Sequence, residues 1–227
     1  MHSGSRYRLL SLGIALLLCP MTLNAQDCLG LSPEPNSGGL EFELGHQGDG
    51  QRVGASVNGN IANRVGVRFG VGWGAIDSFA EGGYEARGLL AVPLFKNFTN
   101  VCAFGEYEQA HESFREALGM TSGDLTDYWI HLGYAVGGDI GRLAGLGFTV
   151  HVAPEVILRR THIRGRVTYT EPEVHVLEHI RVWGDWYLGG RAMISARHSK
   201  YHLSWGLQNR PRIWSDLHWF FRLGFRL

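Results

Sequence analysis

Histidines, serines and acidic residues are the side chains of this sequence that could perform chemistry. His175 and His179 are four residues apart, with several glutamates nearby. On a helix this spacing would place two imidazoles on one face, as zinc sites require. The His-Glu-x-x-His motif is absent, no cysteine is close, and Pro172 favours an extended loop. Solvated loop histidines are therefore the favoured interpretation, and we predict no metal site.

Two serines could act as nucleophiles if a base lay beside them. Ser195 and Ser204 would face the same side of their strands as His202 and His218. Nucleophilic catalysis also needs an oriented base, and the sequence contains no Gly-x-Ser-x-Gly motif. Glycine-rich runs occur only within predicted strands and do not open helices, so no phosphate loop is expected. We predict no catalytic and no cofactor-binding residue.

Apolar residues alternate with small or polar ones along most of the chain. This alternation predicts that the side chains discussed above lie on β-strands. In the segment 64–74, Val, Phe and Trp occupy the odd positions, whereas Gly and Arg occupy the even ones. This period of two is typical of β-strands. Ten segments show it: about 39–47, 51–62, 64–76, 82–95, 101–112, 127–138, 145–164, 182–196, 201–209 and 216–227.

Length and composition restrict the class of protein further. The chain of 227 residues suits one domain, and 44% hydrophobic residues exclude a disordered chain. Equal numbers of basic and acidic residues, 21 each, argue against binding of nucleic acid. Glycine is unusually frequent, with 32 residues, and only Lys96 and Lys200 among the basic residues are lysines.

The first 25 residues have the features of a secretory signal peptide. Arg6 and Arg8 precede an apolar run at 9–19, which is too short to span a membrane as a helix. Pro20 ends the run, and the small residue Ala25 marks the expected cleavage site. We therefore expect a signal peptide at 1–25, a periplasmic tail at 26–38 and a β-domain at 39–227.

Two folds could accommodate ten alternating strands in an exported protein. A soluble sandwich or a lipocalin-like barrel buries its apolar face, whereas a transmembrane barrel turns that face to lipid. Aromatic residues near strand ends favour the transmembrane barrel: Trp73, Tyr84, Tyr107, Tyr128, Trp186, Trp205 and Trp219. We predict an all-β, closed antiparallel transmembrane barrel of about ten strands, with eight as the alternative.

The predicted connections alternate in length. Short joins at 63, 96–100, 139–144 and 197–200 would be periplasmic turns, and longer joins at 77–81, 113–126 and 165–181 would be external loops. The segment 165–181 is predicted to be the longest and most mobile loop.

The last residues carry a family resemblance. The ending Trp219-Phe220-Phe221-Arg222-Leu223-Gly224-Phe225-Arg226-Leu227 resembles the C-terminal signal of bacterial outer-membrane β-barrel proteins. The matching positions are Phe221, Leu223, Gly224, Phe225 and Leu227, although a terminal Phe is more typical of the family. The resemblance implies an outer-membrane location, recognition by the barrel-assembly machinery, and contact with the bilayer and lipopolysaccharide. We expect a monomer.

With the apolar face outward, charged residues would line the lumen. The expected acidic residues are Glu41, Glu43, Glu85, Glu106, Glu108, Glu155 and Asp185, and the basic ones are Arg52, Arg68, Arg87, Arg159, Arg191, Arg222 and Arg226. Unpaired charges in a narrow lumen would be costly, so matched sets indicate ion pairs that fill it.

A filled structural barrel is therefore the favoured function, with a narrow pore as the alternative. A second class is a surface protein whose loops bind a partner. A proteolytic or lipid-modifying barrel enzyme is less favoured.

Cys28 and Cys102 remain after removal of the signal peptide. In an oxidising compartment two cysteines can close one disulfide, which would hold the N-terminal tail across the periplasmic mouth. Two free thiols are the alternative, since bonding requires Cα atoms within about 7 Å.

Overall fold

The computed structural model describes residues 28–31, 38–47, 50–61, 65–74, 80–95, 98–117, 120–169, 175–209 and 217–227. In these ranges the strands are β1 Gly38–Gln47, β2 Gly50–Ile61, β3 Val65–Gly74, β4 Ala80–Phe95, β5 Phe98–Ala117, β6 Met120–Leu143, β7 Leu146–Tyr169, β8 His175–Arg197, β9 Tyr201–Asn209 and β10 Leu217–Arg226. Ten strands were predicted and ten are found, so the alternative of eight does not apply. No helix in the described ranges is long and apolar enough to cross a membrane.

The sheet closes into an antiparallel barrel. Each strand pairs with its neighbours in the chain, and β10 returns to pair with β1, with Gly39 opposite Arg226. Both the start of β1 and the end of β10 lie at one end of the barrel, which we call the terminal end. The opposite end is the distal end. At the terminal end Ala144 and Gly145, both with positive φ, join β6 to β7 in a two-residue turn of the kind that matches hairpin twist.

Burial in this barrel is the reverse of that in a soluble protein. Every strand exposes large apolar side chains on the outside, among them Phe42, Val53, Phe69, Leu90, Tyr107, Leu132, Val152, Leu188, Trp205 and Phe221. The inside is charged, with Glu41 and Glu108 fully buried and Arg52 only 6% exposed. Period-two alternation therefore sorts the side chains between the two faces as predicted.

Four strands are much longer than the others. Strands β5, β6, β7 and β8 contain 20, 24, 24 and 23 residues, whereas β9 and β10 contain 9 and 10. Strand β8 pairs with β9 only from Arg191 to Arg197. The long strands therefore continue beyond the closed barrel at the distal end. We call residues 111–117, 120–128, 160–169 and 175–184 the distal extension.

The predicted loops at 113–126 and 165–181 are wrong over most of their length. The first contains the end of β5 and the start of β6, which pair as far as Ala117 and Met120. The second contains the end of β7 and the start of β8, which pair as far as Tyr169 and His175.

The reason for this error is a reversal of polarity along the long strands. In the distal extension Phe114, Leu125 and Ile163 face inward and are at most 1% exposed, whereas Arg115 and Arg164 face outward. The period of two continues, but its apolar positions change faces. A strand prediction that expects apolar residues at the outward positions ends where those positions become polar. The segments beyond that point are therefore predicted as polar loops.

Glycines accommodate the large inward side chains. Five rings lie directly opposite a glycine in the strand register: His151 opposite Gly137, His202 opposite Gly224, Phe220 opposite Gly206, Phe104 opposite Gly133, and Phe114 opposite Gly123. A Cβ atom added at any of these glycines would meet the ring. Part of the high glycine content is therefore explained by packing across the strands rather than by turns.

Candidate functional site

The charged interior of the barrel is the candidate functional site. The predicted residues found there are Glu41, Glu43, Glu85, Glu106, Glu108, Glu155, Arg52, Arg68, Arg87, Arg159, Arg191 and Arg222. Two predicted residues differ. Asp185 is exposed, because β8 at this position has passed beyond its pairing with β9. Arg226 is exposed because it lies at the terminal end of β10.

Among the described residues, Glu43 is the centre of the largest ion-pair cluster. Its Oε1 atom lies 2.7 Å from both Arg52 Nη2 and Arg87 Nη2, and its Oε2 accepts a 2.6 Å hydrogen bond from Arg222 Nε. Glu85 shares two of these arginines, pairing with Arg52 and lying 2.7 Å from Arg87 Nε. Two carboxylates therefore hold three guanidinium groups, whose planar forks suit such shared contacts.

Glu41 forms a second cluster nearer the terminal end. Arg68 contacts both of its oxygens, with Nε at 2.9 Å and Nη2 at 3.0 Å. His202 Nε2 lies 3.1 Å from the same carboxylate, and Ser56 and Asn58 donate hydrogen bonds to it. This fully buried charge is thus satisfied by several donors, as a low-dielectric site requires.

Arg191 holds two carboxylates on the opposite wall. Its Nη1 and Nη2 atoms each lie 2.6 Å from a carboxylate oxygen, of Glu106 and Glu155 respectively. His131 Nδ1 is 3.3 Å from Glu155, and Arg191 also lies over the Phe104 ring at 4.7 Å from its centroid.

A fourth pair was missed by sequence analysis. Arg159 makes a bidentate contact with Asp127, at 3.0 Å and 2.9 Å, and Thr161 donates a hydrogen bond to the same carboxylate. The predicted strand begins at Asp127, whereas β6 begins at Met120. Extending the alternation outward from His131 would have assigned Asp127 to the interior.

Several of these ion pairs cross the lumen. Glu43 on β1 reaches Arg87 on β4, and Arg191 on β8 reaches Glu106 on β5. Partners on strands three apart are not neighbours in the sheet, so their side chains must meet in the interior. The arrangement is thus a network of side chains that occupies the middle of the barrel.

A short N-terminal turn occupies the lumen toward the terminal end. Residues 28–31 form a hydrogen-bonded turn in which Leu29 and Gly30 have positive φ. The turn packs against an inward apolar cluster formed by Leu89, Ala91, Cys102, Phe104, Ala135 and Ala153. Arg68 Nη2 donates a 3.4 Å hydrogen bond to the carbonyl of Leu29.

In the structure Cys28 and Cys102 form a disulfide with a Cα–Cα distance of 6.1 Å. The two residues are 6% and 1% exposed. The predicted position of the tail is across the mouth of the barrel, whereas the turn lies within the lumen.

The residues considered for catalysis and metal binding lie as follows in the described part of the chain. The hydroxyls of Ser195 and Ser204 lie 3.0 Å from each other, and His202 contacts Glu41. No group of three or more His, Cys, Asp or Glu residues among those described could hold a metal ion. The backbone at His175 and His179 is strand rather than helix, and their side chains lie outside the described residues.

Fold and site together define a closed ten-stranded β-barrel with an apolar exterior and an ion-paired interior. No protein-family model and no curated protein matches the chain. A similar solved structure is that of Ail, the attachment invasion locus protein of Yersinia pestis, in complex with the heparin analogue sucrose octasulfate. Sequence identity is 10%, the TM-score is 0.41, and the match covers 86% of this chain and 100% of that chain. The barrel assignment therefore depends on the strand register of this chain itself.

Proposed function

We propose that this protein is an integral β-barrel of the bacterial outer membrane. The observation that carries the proposal is the reversed burial, with apolar side chains exposed on all ten strands and charges inside. Strands β1, β9 and β10, of 10, 9 and 10 residues, have the length that a tilted strand needs to cross a bilayer. The exposed aromatics Trp73, Tyr84 and Trp186 fit an interfacial girdle.

Cell fractionation tests this location. The protein should be recovered with the outer membrane, and unheated samples should migrate differently from boiled samples on a gel, because a closed barrel resists detergent. Recovery in the soluble periplasmic fraction would contradict the proposal.

The segment 1–25 is proposed to be a cleaved signal peptide, and the C-terminal residues Phe221 to Leu227 an assembly signal. Mass spectrometry of the mature protein tests the first assignment, with Gln26 as the expected first residue. The barrel-assembly machinery and the lipid bilayer are the partners that follow from the location.

The interior is proposed to be closed rather than conducting. Ion pairs between strands three apart and the N-terminal turn occupy successive levels of the lumen. Purified protein in planar bilayers should show no discrete conductance steps. Regular steps in native protein would support the narrow-pore alternative instead.

A second candidate function, surface interaction, is favoured by the distal extension. Strands β5–β8 continue well beyond the length needed to cross a membrane, and the termini lie at the opposite end. With the terminal end in the periplasm, this extension would stand outside the cell.

Shortening the extension tests this second function. Glu112 and Leu125 are opposite each other, so residues 113–124 can be replaced by an Asn-Gly turn. Bacteria that express the shortened barrel should assemble it normally but adhere less to cultured host cells than bacteria with the full protein. Equal adhesion would remove support for this function.

A further inference from the structure

The N-terminal turn is enclosed by opposite walls of the barrel. Leu31 lies against β3, since a Cβ atom added at Gly66 would be 3.0 Å from Leu31 Cβ. A Cβ atom added at Gly30 would lie 3.4 Å from Arg68 Nη2 on β3 and 3.6 Å from Met193 Cε on β8. Strands β3 and β8 are five positions apart in a ring of ten, so the turn is held between walls that face each other across the lumen.

The disulfide lies within the same enclosure. Cys28 and Cys102 are 6% and 1% exposed, and both belong to the inward cluster that includes Leu89 and Phe104. A barrel of eight strands has an interior just wide enough for side chains, and ten strands give only slightly more room. A folded enzyme therefore cannot bring its own cysteine to either sulfur atom once β10 has paired with β1.

We propose that this chain is a substrate of a periplasmic thiol–disulfide oxidoreductase and that the Cys28–Cys102 bond forms before the barrel closes. The inference rests on the proposed export of the chain to the periplasm. In the exchange one thiolate of the chain attacks the enzyme disulfide, and the second thiolate then attacks the mixed disulfide. The two cysteines are oxidised to the bond, while the enzyme disulfide is reduced to a dithiol that takes up two protons. Both attacks need direct contact between sulfur atoms of the two proteins, which the unfolded chain allows and the closed barrel prevents.

The early bond would also decide where the turn is found. Cys28 and Cys102 are 74 residues apart, and the loop that they close contains β1 to β4. Pairing of β10 with β1 would then enclose a turn that is already attached to β5.

Rates of oxidation of the unfolded chain and of the closed barrel test this order. Mature protein with both thiols reduced is either kept unfolded in urea or closed in detergent at the same urea concentration, chosen so that the enzyme stays folded. The disulfide form of a soluble Cys-x-x-Cys oxidoreductase is added, and the remaining thiols are alkylated and counted by mass spectrometry. The closed barrel should be oxidised at least about tenfold more slowly than the unfolded chain, because exchange depends on access to the thiols.

An exposed thiol controls for effects of detergent on the reaction. Cys28→Ser and Cys102→Ser remove both native thiols, and Ser199→Cys places a thiol in the exposed connection between β8 and β9. The probe is an oxidoreductase whose only cysteine is activated as a mixed disulfide with a small aromatic thiol. It should react with this variant equally fast in detergent and in urea. With Cys28→Ser alone, it should react with the remaining Cys102 at least about tenfold more slowly in detergent.

Pulse–chase labelling tests the same order in cells. Chains that are already bonded but not yet heat-modifiable should appear first. Heat-modifiable barrel with two free thiols that later become bonded would overturn the inference, and so would equal enzymatic rates for the closed barrel and the unfolded chain.

Failure of the bonded chain to close in detergent would instead contradict the barrel proposal and is recognised separately. If the bonded chain closes and the reduced chain does not, closure requires the bond, and the proposed order is supported.

Discussion

At the scale of single residues, the interior contains two carboxylates, Glu43 and Glu85, that each contact more than one arginine. Glu43 contacts Arg52, Arg87 and Arg222 and is 5% exposed. Buried charge pairs contribute little net stability compared with apolar packing, but removing one partner leaves the others buried without compensation. Removing one partner of the network should therefore lower the stability of the barrel by more than the intact ion pairs raise it.

We expect Glu43→Gln to destabilise the barrel by about 3–5 kcal/mol, because three guanidinium groups would lose a shared counter-charge. The control Asp185→Asn removes an exposed carboxylate and should change stability by less than about 0.5 kcal/mol. Denaturant unfolding of the detergent-solubilised protein, followed by gel mobility, measures both. Equal midpoints for the two variants would show that the Glu43 cluster is not buried as described.

A glycine opposite a ring gives a second prediction at this scale. In Gly137→Ala the new Cβ would meet the buried His151 ring, with an expected cost of about 1–3 kcal/mol. The control Gly147→Ala, with no atom within 4 Å of its Cβ, should be nearly neutral. Adding His151→Ala should lower the cost of Gly137→Ala in the same unfolding assay. A Gly137→Ala protein as stable as wild type would contradict the packing.

At the scale of elements, the distal extension and the N-terminal turn at 28–31 both differ from what the sequence pattern predicts. The distal extension keeps its strands although its apolar residues change faces: Phe114 is buried inside, whereas Arg115 is exposed outside. The N-terminal turn is only four residues long but belongs to one hydrophobic cluster with inward residues of β4, β5, β6 and β7. A short element can hold this position because its covalent link to β5 reduces the entropy lost on docking.

The disulfide is predicted to stabilise the barrel by about 2–5 kcal/mol, since it closes a loop between residues 74 apart in sequence. Cys28→Ser and Cys102→Ser should each lower the unfolding midpoint, and the double variant should lower it no further. Mass spectrometry of the unreduced protein, alkylated after unfolding, should find no free thiol. Two alkylated cysteines would reject the bond.

At the scale of the whole molecule, closure depends on β10 pairing with β1 along nine register positions, from Gly39–Arg226 to Gln47–His218. The closing strand also carries the proposed assembly signal. Phe225 and Leu227 are 45% and 87% exposed at the terminal end of the barrel. Closure and the proposed membrane contact therefore depend on the same short strand.

Replacing Phe225 and Leu227 with Asp should block assembly. Each charge would cost up to about 2–4 kcal/mol on a lipid-facing surface, and less near the interface. Pulse–chase sampling should find the variant degraded or soluble in the periplasm, whereas Phe225→Leu with Leu227→Phe should assemble normally. Normal heat-modifiable mobility of the Asp variant would contradict a lipid-facing position for these residues.

The sequence by itself determined the ten strands and the side of the sheet that most residues of the central barrel face. This was possible because period-two alternation is a local property, readable within a few residues. Only the tertiary structure decided that Glu43 meets Arg87 and that Arg191 meets Glu106, since contacts between strands three apart depend on how far the whole sheet is staggered on closing. It also decided the distal extension, where the alternation of Phe114 and Arg115 persists but the apolar residue faces inward. The hydropathy of neighbouring residues shows which positions alternate along a strand. Which of the two faces points into the barrel is decided by the closed sheet.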